Sequence, residues 1–213
     1  MEGVEVDLAG DGPQHGGGAE GRGPGQGFVD GAAVDERGGE ARGGGVARLV
    51  AAARAAGVPV LLDVSGASLL AAADAGADVV KPNADELLAA TGAATVADGV
   101  AELRRRGAGL VVVSRGTAGL VASGAAGEYS AAAVPGITGN PTGAGDAATA
   151  GLAAALLDGR PVEDALRWAA AMGTAAVLRP VAGEVDLDAF RRFVASGPAP
   201  RTPDQPTDES STP

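Results

Sequence analysis

The sequence predicts an α/β fold with a mainly parallel sheet covered on both faces. Three observations lead there. Short apolar runs alternate with helix-period segments, as in successive βαβ units. The runs at 58–64 and 109–114 are largely apolar rather than alternating, as expected of strands buried on both sides. Glycine or proline stands at most of the junctions between segments.

The elements follow in order. Residues 1–45 are dense in glycine and lack periodic apolar positions, so too little surface can be buried to offset chain entropy, and disorder is expected. Val46, Leu49, Val50 and Ala53 recur at helical spacing, with Gly57 as the stop. A strand over 58–64, a helix over 67–75 ended by Gly76, and a strand over 77–81 halted by Pro82 come next. A helix over 84–91 ends at Gly92. Thr95 is placed to cap a helix over 96–106, whose closing Arg104, Arg105 and Arg106 suit the negative end of the helix dipole. The strand 109–114 leads to a hairpin of 120–123 and 128–133. A helix opened by residues 143–145 and carrying the apolar pattern 147–157, one from Pro161 to about residue 178, and an amphipathic one over 186–194 complete the pattern. The predicted organisation is a disordered segment 1–45, a folded part 46–195 and a disordered tail 196–213.

Composition excludes several functions. The chain of 213 residues has a net charge of −11, with no basic stripe for nucleic acid or an anionic membrane. There is no cysteine, which removes disulfide and thiolate chemistry together. No apolar run approaches a membrane span and no secretory leader is visible, so a cytoplasmic protein is expected. His15, the single histidine, lies in the glycine tract, which disfavours a histidine triad or metal centre. Residues 16–21 match G-x-G-x-x-G, but no strand precedes the match and no helix follows it. The P-loop pattern is absent. Lys81 is the sole lysine, and Asn83 and Asn140 are the sole asparagines.

Asn140-Pro141-Thr142-Gly143-Ala144-Gly145-Asp146 carries most of the chemistry. The residues Gly143, Ala144 and Gly145 open a helix and present backbone N–H groups at its positive end, an anion site. Asp146 beside it suits a general base toward a hydroxyl that attacks a phosphoryl group, although aspartate also caps helices. Asn83 and Glu86 open another helix as N-x-x-E, oxygen donors of the kind a hard ion takes or the two partners of a capping box. Lys81 can give a point charge to a phosphate or stay solvated. Ser114-Arg115-Gly116-Thr117-Ala118-Gly119 allows close backbone approach to a ligand, or serves as a plain turn. Asp63 and Ser65, at a strand end, reach either the site or a turn.

Gly143-Ala144-Gly145-Asp146, with Asn140, Thr142 and Gly151, resembles the second signature of the PfkB carbohydrate kinases, the ribokinase-like fold. Asp63-Val64-Ser65-Gly66 and Lys81-Pro82-Asn83-Ala84-Asp85-Glu86 are similar to its fructose-1-phosphate kinase and tagatose-6-phosphate kinase branch. The likeness runs from about residue 46 to 194. It implies a three-layer sandwich and ATP-dependent phosphorylation of a sugar or sugar-phosphate hydroxyl with Mg2+. Asp146 would be the catalytic base and Gly143, Ala144 and Gly145 the anion hole. Lys81, Asn83, Ser114, Gly116, Gly119 and Met172 would bind nucleotide, with Ala171 and Thr174 near the adenine. Asn83 and Glu86 would support the metal through water. Partners would be a nucleotide and a small sugar or sugar phosphate, with a homodimer as an allowed assembly and neither nucleic acid nor membrane. The family's N-terminal half, with its sugar clamp, is not readable in residues 1–45 and is expected to be missing or replaced. The alternative is a non-catalytic remnant that binds only nucleotide or a protein partner.

Overall fold

The computed structural model describes residues 39–196. The expectations for the rest of 1–45, for the tail beyond 196, and for His15 and the 16–21 glycine pattern lie outside the described residues. Seven α-helices and five strands follow one another as α1 (Gly39–Ala55), β1 (Leu61–Leu62), α2 (Gly66–Asp74), β2 (Val79–Val80), α3 (Ala84–Thr91), α4 (Val96–Arg106), β3 (Leu110–Ser114), β4 (Leu120–Gly124), β5 (Gly127–Ala131), α5 (Ala144–Leu157), α6 (Val162–Val177) and α7 (Leu187–Ser196). Helix α1 begins seven residues before the position where order was expected.

The strands form one sheet in the order β1-β2-β3-β4-β5. The first three are parallel, and β4 and β5 add an antiparallel hairpin. Adjacent residues of β2 and β3 point to opposite faces, as the strand period requires. Val80, Val111 and Val113 pack into a core with Val50, Leu69, Leu87 and Leu103 from α1–α4. Val79, Leu110 and Val112 pack into a second core with Leu152, Leu166 and Ala169 from α5 and α6. The result is a three-layer α/β sandwich.

Two local features pack α5, α6 and α7 together. Helices α5 and α6 approach closely because Gly151 and Gly173 present no side chain: an added Cβ on Gly151 would stand 2.8 Å from Met172 Cβ, and one on Gly173 would stand 2.9 Å from the Ala144 carbonyl. Helix α7 closes the outside of α6 through an edge-to-face contact of Trp168 and Phe190, ring centroids 5.3 Å apart, with the Arg160 guanidinium 4.4 Å from the Trp168 ring.

Candidate active site

The carboxyl ends of β1, β2 and β3 and the N-terminus of α5 converge. Strand β1 runs into Asp63, β2 into Lys81, and β3 ends at Ser114. Asn83 bridges Ser114 in parallel, and the Ser114 N–H donates to the Pro82 carbonyl at 3.2 Å.

The loop before α5 is fixed by Asn140. Its side-chain Nδ2 donates to the Pro180 carbonyl at 3.0 Å, its Oδ1 accepts from the Thr142 N–H at 3.1 Å, and its own N–H donates to the Val177 carbonyl at 3.0 Å. Gly143 caps α5 at φ 84° and ψ −3°, the left-handed region that a side chain resists. One amide of the expected anion hole has a partner within the chain. The Ala144 N–H turns back to the Pro141 carbonyl at 3.1 Å, because residues 141–144 close a tight turn. The N–H groups of Gly143, Gly145 and Asp146 make no hydrogen bond among the described residues. Asp146 lies in the first turn of α5 and its side chain is exposed, beside those amides.

Lys81 is the one buried charged side chain among the described residues, at 2% exposure. An ammonium out of water requires an anionic partner. Asp63 supplies it: Lys81 Nζ stands 2.9 Å from Asp63 Oδ2. The same Oδ2 accepts from the Thr149 hydroxyl at 2.6 Å. Thr149 is three residues after Asp146 on α5, a neighbouring position on the helix surface. A chain of contacts thus runs from β2 through β1 to the first turns of α5. Sequence reasoning left Asp63 open between site and turn, and missed Thr149. Its position one turn after the glycine loop was the available signal.

Asn83 and Glu86 form the capping box. The Asn83 N–H donates to Glu86 Oε2 and the Glu86 N–H to Asn83 Oδ1, both at 2.8 Å. The pair therefore fixes the start of α3 beside Ser114. The cap uses one oxygen of each side chain and leaves Glu86 Oε1 for water.

A cavity of about 450 Å³ opens between the β3–β4 turn, the 133–141 loop and helices α5 and α6. Ser114, Gly116 and Gly119 line it, together with Ala144 and Gly145 from the anion loop and Thr174 from α6. Gly119, at φ 81°, lets the turn pass against β5: an added Cβ would lie 2.1 Å from the Ala131 carbonyl. Met172 and Ala171 are not among the lining residues, and Met172 packs against Gly151 between α5 and α6. The α6 periodicity turns Gly173 and Thr174 to the cavity instead. Ile137 and Thr138, which no motif marked, form part of its wall.

The sequence pattern of the pfkB family carbohydrate kinases matches residues 39–188. The chain belongs to this family. Among pfkB relatives, it is 38% identical over 138 residues to a 1-phosphofructokinase of Rhodobacter capsulatus, covering 62% of this chain and 43% of that one. It is 45% identical over 121 residues to a 1-phosphofructokinase of Xanthomonas campestris pv. campestris, covering 53% of this chain and 38% of that one. The chain thus spans about two-fifths of the length of these curated relatives. A solved structure of Arabidopsis thaliana ribokinase with ribose and ATP superposes with a TM-score of 0.64 at 28% identity, covering 71% of this chain and 52% of that one. The fold is ribokinase-like.

Proposed function

We propose that this chain carries the nucleotide-binding and phosphoryl-transfer machinery of an ATP-dependent sugar or sugar-phosphate kinase. One observation carries the reading: an exposed Asp146 stands beside unbonded backbone N–H groups at the start of α5, and that loop forms one edge of the 450 Å³ cavity. The cavity walls are mostly apolar with a few hydroxyls, suited to a base and ribose. Ala144 and Gly145 in its wall bring the phosphates within reach of the amides of Gly143, Gly145 and Asp146. Lys81 adds a fixed positive charge, held by Asp63.

Asp146 takes the proton of the acceptor hydroxyl. The hydroxyl oxygen then bonds to the γ-phosphorus as the bond to the β,γ-bridging oxygen breaks, and ADP leaves. Positioning and electrostatics supply nearly all of such catalysis. No group of three His, Cys, Asp or Glu side chains among the described residues forms a metal cage. Asn83 and Glu86, whose oxygens open α3, would hold a magnesium ion through water. Such an ion supplies charge neutralisation on the transferring group. The names of the relatives support a sugar phosphate as the acceptor. Because the chain spans about two-fifths of those relatives, nucleotide binding without transfer is the second reading.

Calorimetric ATP titration and sugar-phosphate-dependent ADP release on one sample decide the matter. Transfer is expected to fall about a thousandfold in Asp146→Asn while ATP affinity holds within about threefold. Binding without turnover in the unsubstituted chain selects the second reading, and loss of both signals defeats the two together.

A further inference from the structure

We propose that Thr149 is a positioning residue for the distal phosphates: its hydroxyl anchors the Asp63 carboxylate, which in turn holds and aims the buried Lys81 ammonium. This rests on the phosphoryl-transfer reading above. Threonine inside a helix ordinarily bonds the carbonyl four residues back, and Thr149 Oγ1 does lie 2.9 Å from the Gly145 carbonyl. Its shorter contact is the other one. Asp63 Oδ2, 86 positions away in sequence and on another element, lies at 2.6 Å. A hydroxyl has one proton. The charged acceptor at the shorter distance takes it, since a bond to a carboxylate is about twice as strong as one to a neutral oxygen.

The consequence falls on Lys81. Asp63 is a third exposed, with 33% of its side chain open to solvent, whereas the lysine side chain is 3% exposed. A carboxylate on a strand end with that much solvent access has room to turn outward. Thr149 prevents this from the α5 side, so the carboxylate stays between helix and lysine. Lys81 Nζ has three N–H donors, and Asp63 is its ion-pair partner among the described residues, 2.9 Å away. At least two donors therefore remain for an anion. Thr149 lies four residues after Gly145 and three after Asp146, on the same side of α5 as the amide pocket. Holding Asp63 to that side keeps the ammonium directed at the place where the terminal phosphates bind.

The test compares ATP with AMP, both with magnesium, by calorimetry on the full chain, with a thermal melt for each variant. Thr149→Val keeps shape and removes the hydroxyl. It is expected to weaken ATP binding about tenfold while AMP affinity stays within about twofold, and Thr149→Ser is expected to restore ATP binding. If Thr149→Val weakens ATP and AMP equally, or neither, the hydroxyl has no phosphate-directed role and the proposal is overturned. A failure of Thr149→Ser to restore ATP binding overturns it as well, assigning the effect to the methyl group. An unsubstituted chain that binds no ATP defeats the phosphoryl-transfer reading itself, and this proposal with it.

Discussion

Asp63 and Lys81 are unequal partners. Lys81 is buried and Asp63 is a third exposed, so removing each has a different cost. Asp63→Ala leaves an ammonium buried without its counter-charge, and a loss of about 2 kcal/mol is expected in urea denaturation, below the usual figure for a buried pair because water reaches the site. Lys81→Met removes the charge and keeps the stem packed, so stability is expected to change by less than about 1 kcal/mol. ATP affinity is nevertheless expected to drop, measured by the same titration used for Asp146→Asn. A large stability loss in Lys81→Met with unchanged ATP binding would make the lysine a fold device only. Lys81 drew attention in the sequence as a solitary lysine at a strand end. Its burial and its bond to Asp63 were not readable, because they depend on which strand ends lie side by side.

The two helices opened by a capping side chain were readable to the residue. Helix α3 spans Ala84–Thr91 and α4 spans Val96–Arg106 as expected, since Asn83 and Thr95 cap them and Gly92 stops α3 in the left-handed region. Unpunctuated elements were not. Strands β1 and β2 are two residues each, shorter than their apolar runs, because they pair with each other and β3 over only that length. Helix α1 starts inside the glycine-rich segment, where no cap or period announces it. Substitution of the α3 cap, Asn83→Ala, is expected to cost about 1 kcal/mol by denaturation, with a loosened Ser114 turn. Helix α4 carries a pH-dependent contribution. Glu102 is held below the ordinary value of 4.5, first by its hydrogen bond from Arg106; desolvation opposes this, and the charges of Arg105 and Arg106 and a hydrogen bond from Arg105 add to the lowering. A lowered folded-state value means the contribution is present above pH 4.5 and lost as pH falls below it. The melting-temperature gap between the unsubstituted chain and Glu102→Gln is expected to be full at neutral pH and to close on acidification below that value. A gap constant across pH would sink the assignment.

Across the folded part, charge is unevenly stocked. The sequence has a net charge of −11 and fifteen arginines to one lysine among sixteen basic residues. Among the described residues, arginines pair with acids on helix faces, as Arg106 does with Asp74 and Glu102 and Arg191 with Asp188, and in the α6–α7 loop, as Arg179 does with Glu184. The single ε-amine is kept inside, at the junction of β1, β2 and α5. Amine-acylating reagents, which leave guanidinium groups untouched, therefore find one lysine target, and it is shielded by its carboxylate. Peptide mass mapping is expected to show the Lys81 peptide unmodified after brief exposure of the native chain and modified after exposure in denaturant. Modification at equal rates in both conditions would contradict the burial. The same scarcity makes the protein its own reporter: the rate of acylation at this one nitrogen reads the opening of the junction directly, with no competing side-chain amine to subtract and no label to engineer.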